Sequence, residues 1–136
     1  VHLRDISTLN NVYISTEPHP QSEGLTIARS FMGYLIVTST SNPLEATMTS
    51  QEFTDYRIEN LIPFHQFEIT NKVHPFNCGL ADYVHEAKGC YIGQEVLTRM
   101  RSRGKMGKQL MRVDKDAEDA TSTGSEYSLA IRRIGQ

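Results

Sequence analysis

The sequence lacks the features that most directly assign a protein to a class. Acidic residues (16) nearly balance lysine plus arginine (14), and the formal charge of -2 at pH 7 gives no global reason to expect nucleic acid or an anionic membrane as a partner. No apolar run is long enough to cross a bilayer. The two cysteines, Cys78 and Cys90, are too far apart for a Cys-x-x-Cys motif and make a poor disulfide framework, which indicates a reducing compartment. We therefore expect the cytoplasm, or the mitochondrial matrix in a eukaryote.

Several ligand motifs are missing as well. There is no internal repeat, the five histidines show no metal-type pairing, and Gly104 and Gly107 do not have the spacing of a phosphate-binding loop. The segment from Arg99 to Arg112 holds six of the 14 basic residues. Because no aromatic residues are interleaved with them, this segment favours a solvated face or contact with an anionic ligand tail over nucleic acid.

What is present is concentrated in residues 88–95, Lys-Gly-Cys-Tyr-Ile-Gly-Gln-Glu. Two glycines bracket Cys90, and good helix formers follow Gly93, so the segment predicts a tight turn that leads into a short helix. The unpaired amides at the start of that helix and the nearby Lys88 would both favour the thiolate form of Cys90. The alternative is that Cys90 is an inert buried cysteine.

This octapeptide resembles the signature of the YgfZ-type folate-binding proteins, a branch of the glycine-cleavage T-protein superfamily associated with iron-sulfur cluster assembly and repair. The resemblance extends to Arg57-Ile58-Glu59 and to residues 99–113. It implies an α+β fold, with a T-protein-like folate-binding domain over residues 1–104 and the remnant of a C-terminal β-barrel over residues 105–136. Both parts are expected to be incomplete.

The resemblance also implies roles for individual residues. Glu59 would contact the pterin of tetrahydrofolate, and Arg57 would orient Glu59 or hold the fold. Tyr83 and Tyr91 would pack on the ring or belong to the core, and Arg99 and Arg101 would receive the anionic tail. The turn and the start of the helix would be built by Lys88, Gly89, Gly93, Gln94 and Glu95. Two positions depart from the family pattern: Asn77, where an acidic residue is usual, and Leu61, where glycine is usual.

The favoured hypothesis is a tetrahydrofolate-binding accessory protein, without enzymatic activity or only weakly enzymatic, that assists iron-sulfur cluster assembly or repair through Cys90. Its partners would be folate and iron-sulfur client or assembly proteins. One cysteine cannot hold a stable cluster, so the thiol would act on another protein. The alternatives are a folate-dependent aminomethyltransferase, whose catalytic aspartate is not recognisable in this chain, and an interaction domain that has lost folate binding.

Local patterns predict the remaining elements. Alternating and β-branched residues predict strands at 12–15, 25–28, 34–38, 64–69, 81–84, 109–113 and 127–131. A helix that ends near Leu61 is predicted to start at one of two capping signals, Ser41-Asn42-Pro43 or Ser50. Residues 114–126 are predicted to form a polar loop.

Overall fold

A computed structural model describes residues 3–85, 87–104 and 107–135. The chain separates into two compact units, Val1–Thr49 and Ser50–Gln136. This division falls at residue 49, whereas the resemblance places a boundary at residue 104. The assignment of a folate-binding domain to residues 1–104 stays a prediction.

The first unit is built on a three-stranded antiparallel sheet that follows a short 3-10 helix at Ser7–Leu9. Its strands, in the spatial order β1-β3-β2, are β1 (Asn10–Ser15), β2 (Leu25–Ser30) and β3 (Gly33–Ser39). The three strands predicted in this region are therefore confirmed. Gly33 begins the central strand with φ of 119°, and a Cβ atom at this position would lie 2.4 Å from the carbonyl oxygen of Ser15. Only glycine fits this turn.

The second unit contains two helices and a second antiparallel sheet, of order β4-β6-β5. The elements are α1 (Ser50–Glu59), a 3-10 helix at Ala81–Tyr83, α2 (Gln94–Arg103), β4 (Lys108–Asp114), β5 (Ser122–Thr123) and β6 (Tyr127–Arg133). The core forms where Ile58 of α1 meets Leu110 of β4 and Leu129 of β6, all of them buried. Helix α1 thus begins at the second of the two capping signals, and the fold class α+β is confirmed.

The end of α1 gives Leu61 a backbone conformation that favours glycine. The amide of Ile62 donates to the carbonyl of Arg57 at 2.7 Å, and the amide of Leu61 donates to the carbonyl of Ile58 at 3.3 Å. This is the Schellman pattern, which places the residue after the cap in the left-handed region. Leu61 accordingly has φ of 53°. A glycine would adopt this conformation without the strain that a leucine meets.

Three predictions of local structure are wrong. Residues 64–69 form a compact turn, in which the carbonyl oxygen of Phe64 accepts the amides of residues 67, 68 and 69. Residues 81–83 form a 3-10 helix instead of a strand. The predicted polar loop contains β5, with Ser122 buried against β6.

The family-level part of the fold stays a prediction. The sheet β4-β6-β5 has three strands, and it contacts α1 through β5 and β6. None of the helices in the described part of the chain combines the length and apolar character needed to span a membrane.

Candidate functional site

Residues 88–93 form a largely exposed loop that leads directly into α2. Gly93 precedes the helix with φ of 90°, and its carbonyl accepts the amide of Leu97 at 3.2 Å. The predicted turn and helix are therefore confirmed. Cys90 lies in the loop and is exposed, so the alternative of a buried cysteine is wrong.

The charge of Lys88 is directed at an aromatic ring. Its Nζ atom lies 4.4 Å from the centroid of the Tyr91 ring, within cation–π range. Tyr91 is half-buried, and its carbonyl accepts the amide of Gln94 at 3.2 Å. The residues on both sides of Cys90 thus fix the shape of the loop and leave the thiol accessible.

A cavity of about 390 Å³ opens beside this loop. Its lining combines an aromatic ring, aliphatic side chains and a guanidinium group, from Val84, Tyr91, Gln94, Leu97, Thr98, Arg101 and Ser102. Arg101 is held in place because its Nη2 donates to the carbonyl of Ala81 at 3.0 Å and its guanidinium lies 5.4 Å from the Phe76 ring centroid. Volume and chemistry fit the binding of part of an anionic aromatic molecule.

The other predicted ligand residues lie apart from this lining. Glu59 is exposed and lines a smaller cavity of about 160 Å³, which it shares with Asp55 and Glu126. Tyr83 is 60% exposed, and Arg99 is exposed two residues before Arg101 on α2. Residues two apart on a helix do not face the same side. The structure therefore brings Tyr91, Gln94 and Arg101 together and places Glu59 at a different cavity.

Asp55 fixes one wall of that smaller cavity. Its carboxylate accepts both the backbone amide and the hydroxyl of Ser125, each at 2.7 Å. The backbone hydrogen bond from Ser125, followed by the hydroxyl, lowers the pKa of Asp55 from its ordinary value of 3.8. The cavity that contains Glu59 is thus tied to the turn between β5 and β6.

Arg57 is a structural residue in this arrangement. Its Nη1 donates to Oε2 of Glu68 at 3.1 Å, and the two side chains are 4% and 0% exposed. Glu68 also accepts the amide of Phe64 and the hydroxyls of Thr121 and Ser122. Of the two roles expected for Arg57, this geometry favours holding the fold.

The sequence does not single out Glu68, because the alternation at 64–69 predicts a half-exposed strand with Gln66 and Glu68 on the side opposite Phe67 and Ile69. The signal that could have found it is Arg57 itself. An arginine beside the apolar Ile58 near the end of a helix requires an acidic partner when it is buried.

The second cysteine has a different environment. Cys78 is 1% exposed, its thiol donates to the carbonyl of Pro75, and burial raises its pKa. The neighbouring Asn77, where the family pattern has an acidic residue, holds a buried Oδ1 atom that has no hydrogen-bond partner within the described ranges. Among residues 3–85, 87–104 and 107–135, no group of three or more His, Cys, Asp and Glu side chains is arranged to hold a metal ion.

Comparison with known proteins adds no family assignment. No model of a known protein family matches the sequence, and no match to a curated protein was found. The residues of the Cys90 loop and of the cavity at Tyr91 are therefore the basis for assigning a function.

Proposed function

We propose that this protein binds tetrahydrofolate or a one-carbon derivative and assists iron-sulfur cluster assembly or repair on other proteins through the thiol of Cys90. The observation that carries the proposal is the position of an exposed cysteine beside a cavity lined by Tyr91, Leu97 and Arg101. The likeness of residues 88–95 to the YgfZ-type signature supports the same assignment.

The cavity offers complementary contacts for parts of a folate molecule. The ring of Tyr91 and the side chain of Leu97 supply a surface for stacking, and Arg101 supplies positive charge for a carboxylate of the tail. Glu59 would accept donors of the pterin, as the resemblance implies, although it lines another cavity. Folate would supply a one-carbon carrier or a positioning contact near Cys90.

Cys90 would act on iron or sulfur that belongs to a client protein. A single exposed thiolate can form one bond to iron, or it can accept the outer sulfur of another protein's persulfide and release that protein's thiolate, whereas a stable cluster needs about four thiolate ligands. Exposure of Cys90 permits such transient contact. The client cluster is then the substrate and not a resident cofactor.

The first experiment is titration calorimetry of tetrahydrofolate with the wild-type chain and with Tyr91→Leu and Glu59→Gln. We expect Tyr91→Leu to weaken binding, because the ring is lost from the cavity while apolar volume is kept. Loss of about 1–3 kcal/mol in Glu59→Gln would support the pterin contact. Glu126→Gln, in the same small cavity as Glu59, is the matched control and should bind like the wild type.

Two outcomes separate binding from cluster maintenance. A folded wild-type chain that does not bind tetrahydrofolate would overturn the folate assignment. If folate binds, Cys90→Ser should keep that affinity and lose activity in restoring the cluster of a damaged iron-sulfur enzyme. Unchanged restoration by Cys90→Ser would overturn the role of the thiol.

A protein-interaction domain without folate is the second candidate. It is favoured by two strongly exposed apolar side chains that follow Cys90 in the sequence, Ile92 at 103% and Val96 at 55%. Exposed aliphatic groups of this kind suit contact with another protein. Binding of a client protein that persists when tetrahydrofolate has no detectable affinity would favour this candidate.

A further inference from the structure

Another cavity of the second unit is lined by three phenylalanine rings. It has a volume of about 360 Å³, and its wall is formed by Phe53 of α1 together with Phe64 and Phe67 of the turn that follows. The centroids of the Phe53 and Phe64 rings are 5.8 Å apart in an edge-to-face arrangement, and those of Phe64 and Phe67 are 6.4 Å apart. The remaining lining is polar, from Ser50, Thr54, Arg57, Ser122 and Thr123.

The charge inside this cavity is already balanced. The guanidinium carbon of Arg57 lies 5.6 Å from the Phe64 centroid and 5.4 Å from the Phe67 centroid, so an internal cation occupies the faces of both rings. Its charge is matched by the buried carboxylate of Glu68. Because the pair as a whole carries no net charge, a cationic or an anionic ligand would lose hydration here without gaining an unpaired counter-charge.

The wall presents a large aromatic surface to solvent. Phe67 is 48% exposed, although it is one of the largest apolar side chains of this unit. Gln66, the residue before it, has φ of 72°, a strained conformation for a side chain other than glycine. Strain of this kind is found at ligand clamps more often than elsewhere. The amides of residues 67–69 donate hydrogen bonds to the carbonyl oxygen of Phe64, so the turn holds the backbone of Phe67 in position without a ligand.

We propose that this cavity binds a flat, uncharged aromatic molecule of one or two fused rings. Its volume of about 360 Å³ lies within the range of pockets that bind small molecules. The phenylalanine edges provide contacts for a ring, and the hydroxyls of Thr54 and Thr123 provide polar contacts at its edge. None of its lining residues belongs to the cavity at Tyr91, so this proposal is independent of folate binding.

The test uses indole as a neutral bicyclic probe, followed by amide chemical shifts of the labelled full chain. Indole should give saturable shifts in residues 53–67, and tryptamine, its cationic relative, should bind more weakly by roughly tenfold or more, because its ammonium group would lose hydration and no lining residue is acidic. Indole-3-acetate should bind no tighter than indole. Phe67→Ala should weaken indole binding by about fivefold to tenfold. Met111→Ala, which removes a side chain of similar exposure (40%) on β4, should not.

A second variant controls for the possibility that Phe67→Ala weakens binding by loosening the turn. Thr123→Trp leaves the phenylalanine wall intact and fills the cavity from β5, so it should abolish indole binding while the chain stays folded by circular dichroism. Absence of saturable shifts with indole in the wild type would overturn the proposal. Equal affinity for tryptamine, or unchanged affinity in Thr123→Trp, would overturn it as well.

Discussion

The substitution Glu68→Gln tests the buried ion pair that joins α1 to the rest of its unit. The two oxygens of Glu68 accept four donors: Arg57, the amide of Phe64, and the hydroxyls of Thr121 and Ser122. Glutamine keeps the shape of glutamate, but its NH₂ group replaces one of the two carboxylate oxygens that accept these hydrogen bonds. The hydroxyls can rotate to accept from it, whereas the charge of Arg57 loses its partner in a site with almost no solvent access.

The expected loss can be set from the environment of the pair. Removal of one partner of a buried ion pair destabilises a protein by about 3–5 kcal/mol. Because the glutamine oxygen can still accept from Arg57 and Phe64, we expect the lower end of this range, about 3 kcal/mol. Since whole domains are stable by about 5–15 kcal/mol, the effect would be readily measured.

The assay is urea unfolding followed by circular dichroism, because the chain contains no tryptophan. Hydrogen exchange at the amide of Phe64 reports on the second unit directly, since that amide donates to Glu68. Arg57→Met combined with Glu68→Gln removes the unpaired charge. The free energy of unfolding of the double variant should therefore fall by at least about 1 kcal/mol less than the sum of the two single losses. A single loss below about 1 kcal/mol, or strict additivity, would refute the reasoning.

Three further predictions follow from single residues. Leu61→Gly should stabilise the chain by about 0.5–1 kcal/mol in urea unfolding, because glycine adopts the positive φ without strain. The folded pKa of Asp55 is lowered by Ser125, so its contribution to stability is complete above pH 3.8 and is lost as the pH falls through the lower folded value. Asp55→Asn should therefore be less stable than wild type at pH 7, and the difference should shrink on acidification. Iodoacetamide should alkylate Cys90 roughly tenfold or more faster than Cys78 in peptide mapping, since Cys78 is buried and its pKa is raised.

Each of these has a direct control. Leu61→Ala removes the side chain but keeps the strained φ, so it should not stabilise; equal gains from alanine and glycine would contradict the account of the cap. Glu126→Gln removes a nearby exposed carboxylate and should leave the acid dependence of stability unchanged. For the thiols, alkylation at equal rates in the folded chain would mean that Cys78 is more accessible than its 1% exposure indicates.

Much of the secondary structure could be predicted because it depends on neighbours in sequence. The strand at 34–38 follows from β-branched residues, and helix α2 follows from Gly93 and the helix formers after it. Helix α1 likewise begins at a capping signal and stops before Pro63. The sequence could also identify the segment around Cys90 as a turn, because two glycines mark it.

The segment 64–69 could not be predicted in this way. Its alternation is that of a strand, but Gln66 adopts a positive φ and reverses the chain. Glu68 then turns inward, where a strand would have placed it outward, and its partners are 4 to 54 residues away in sequence. Contacts of that range depend on the packing of α1 against β5 and β6, which no local pattern encodes.

The pairing of Arg57 argues against a role for this residue in ligand recognition. Near the end of α1, the sequence offers Arg57 and Glu59 as a possible pair, but residues two apart on a helix do not meet. The structure instead joins Arg57 to Glu68 and leaves Glu59 exposed. A guanidinium that neutralises a buried carboxylate cannot also neutralise the tail of a ligand without leaving that carboxylate unpaired. Arg57 is therefore unsuited to the anionic tail that the proposed function requires, whereas Arg101 lines the cavity beside the loop of Cys90.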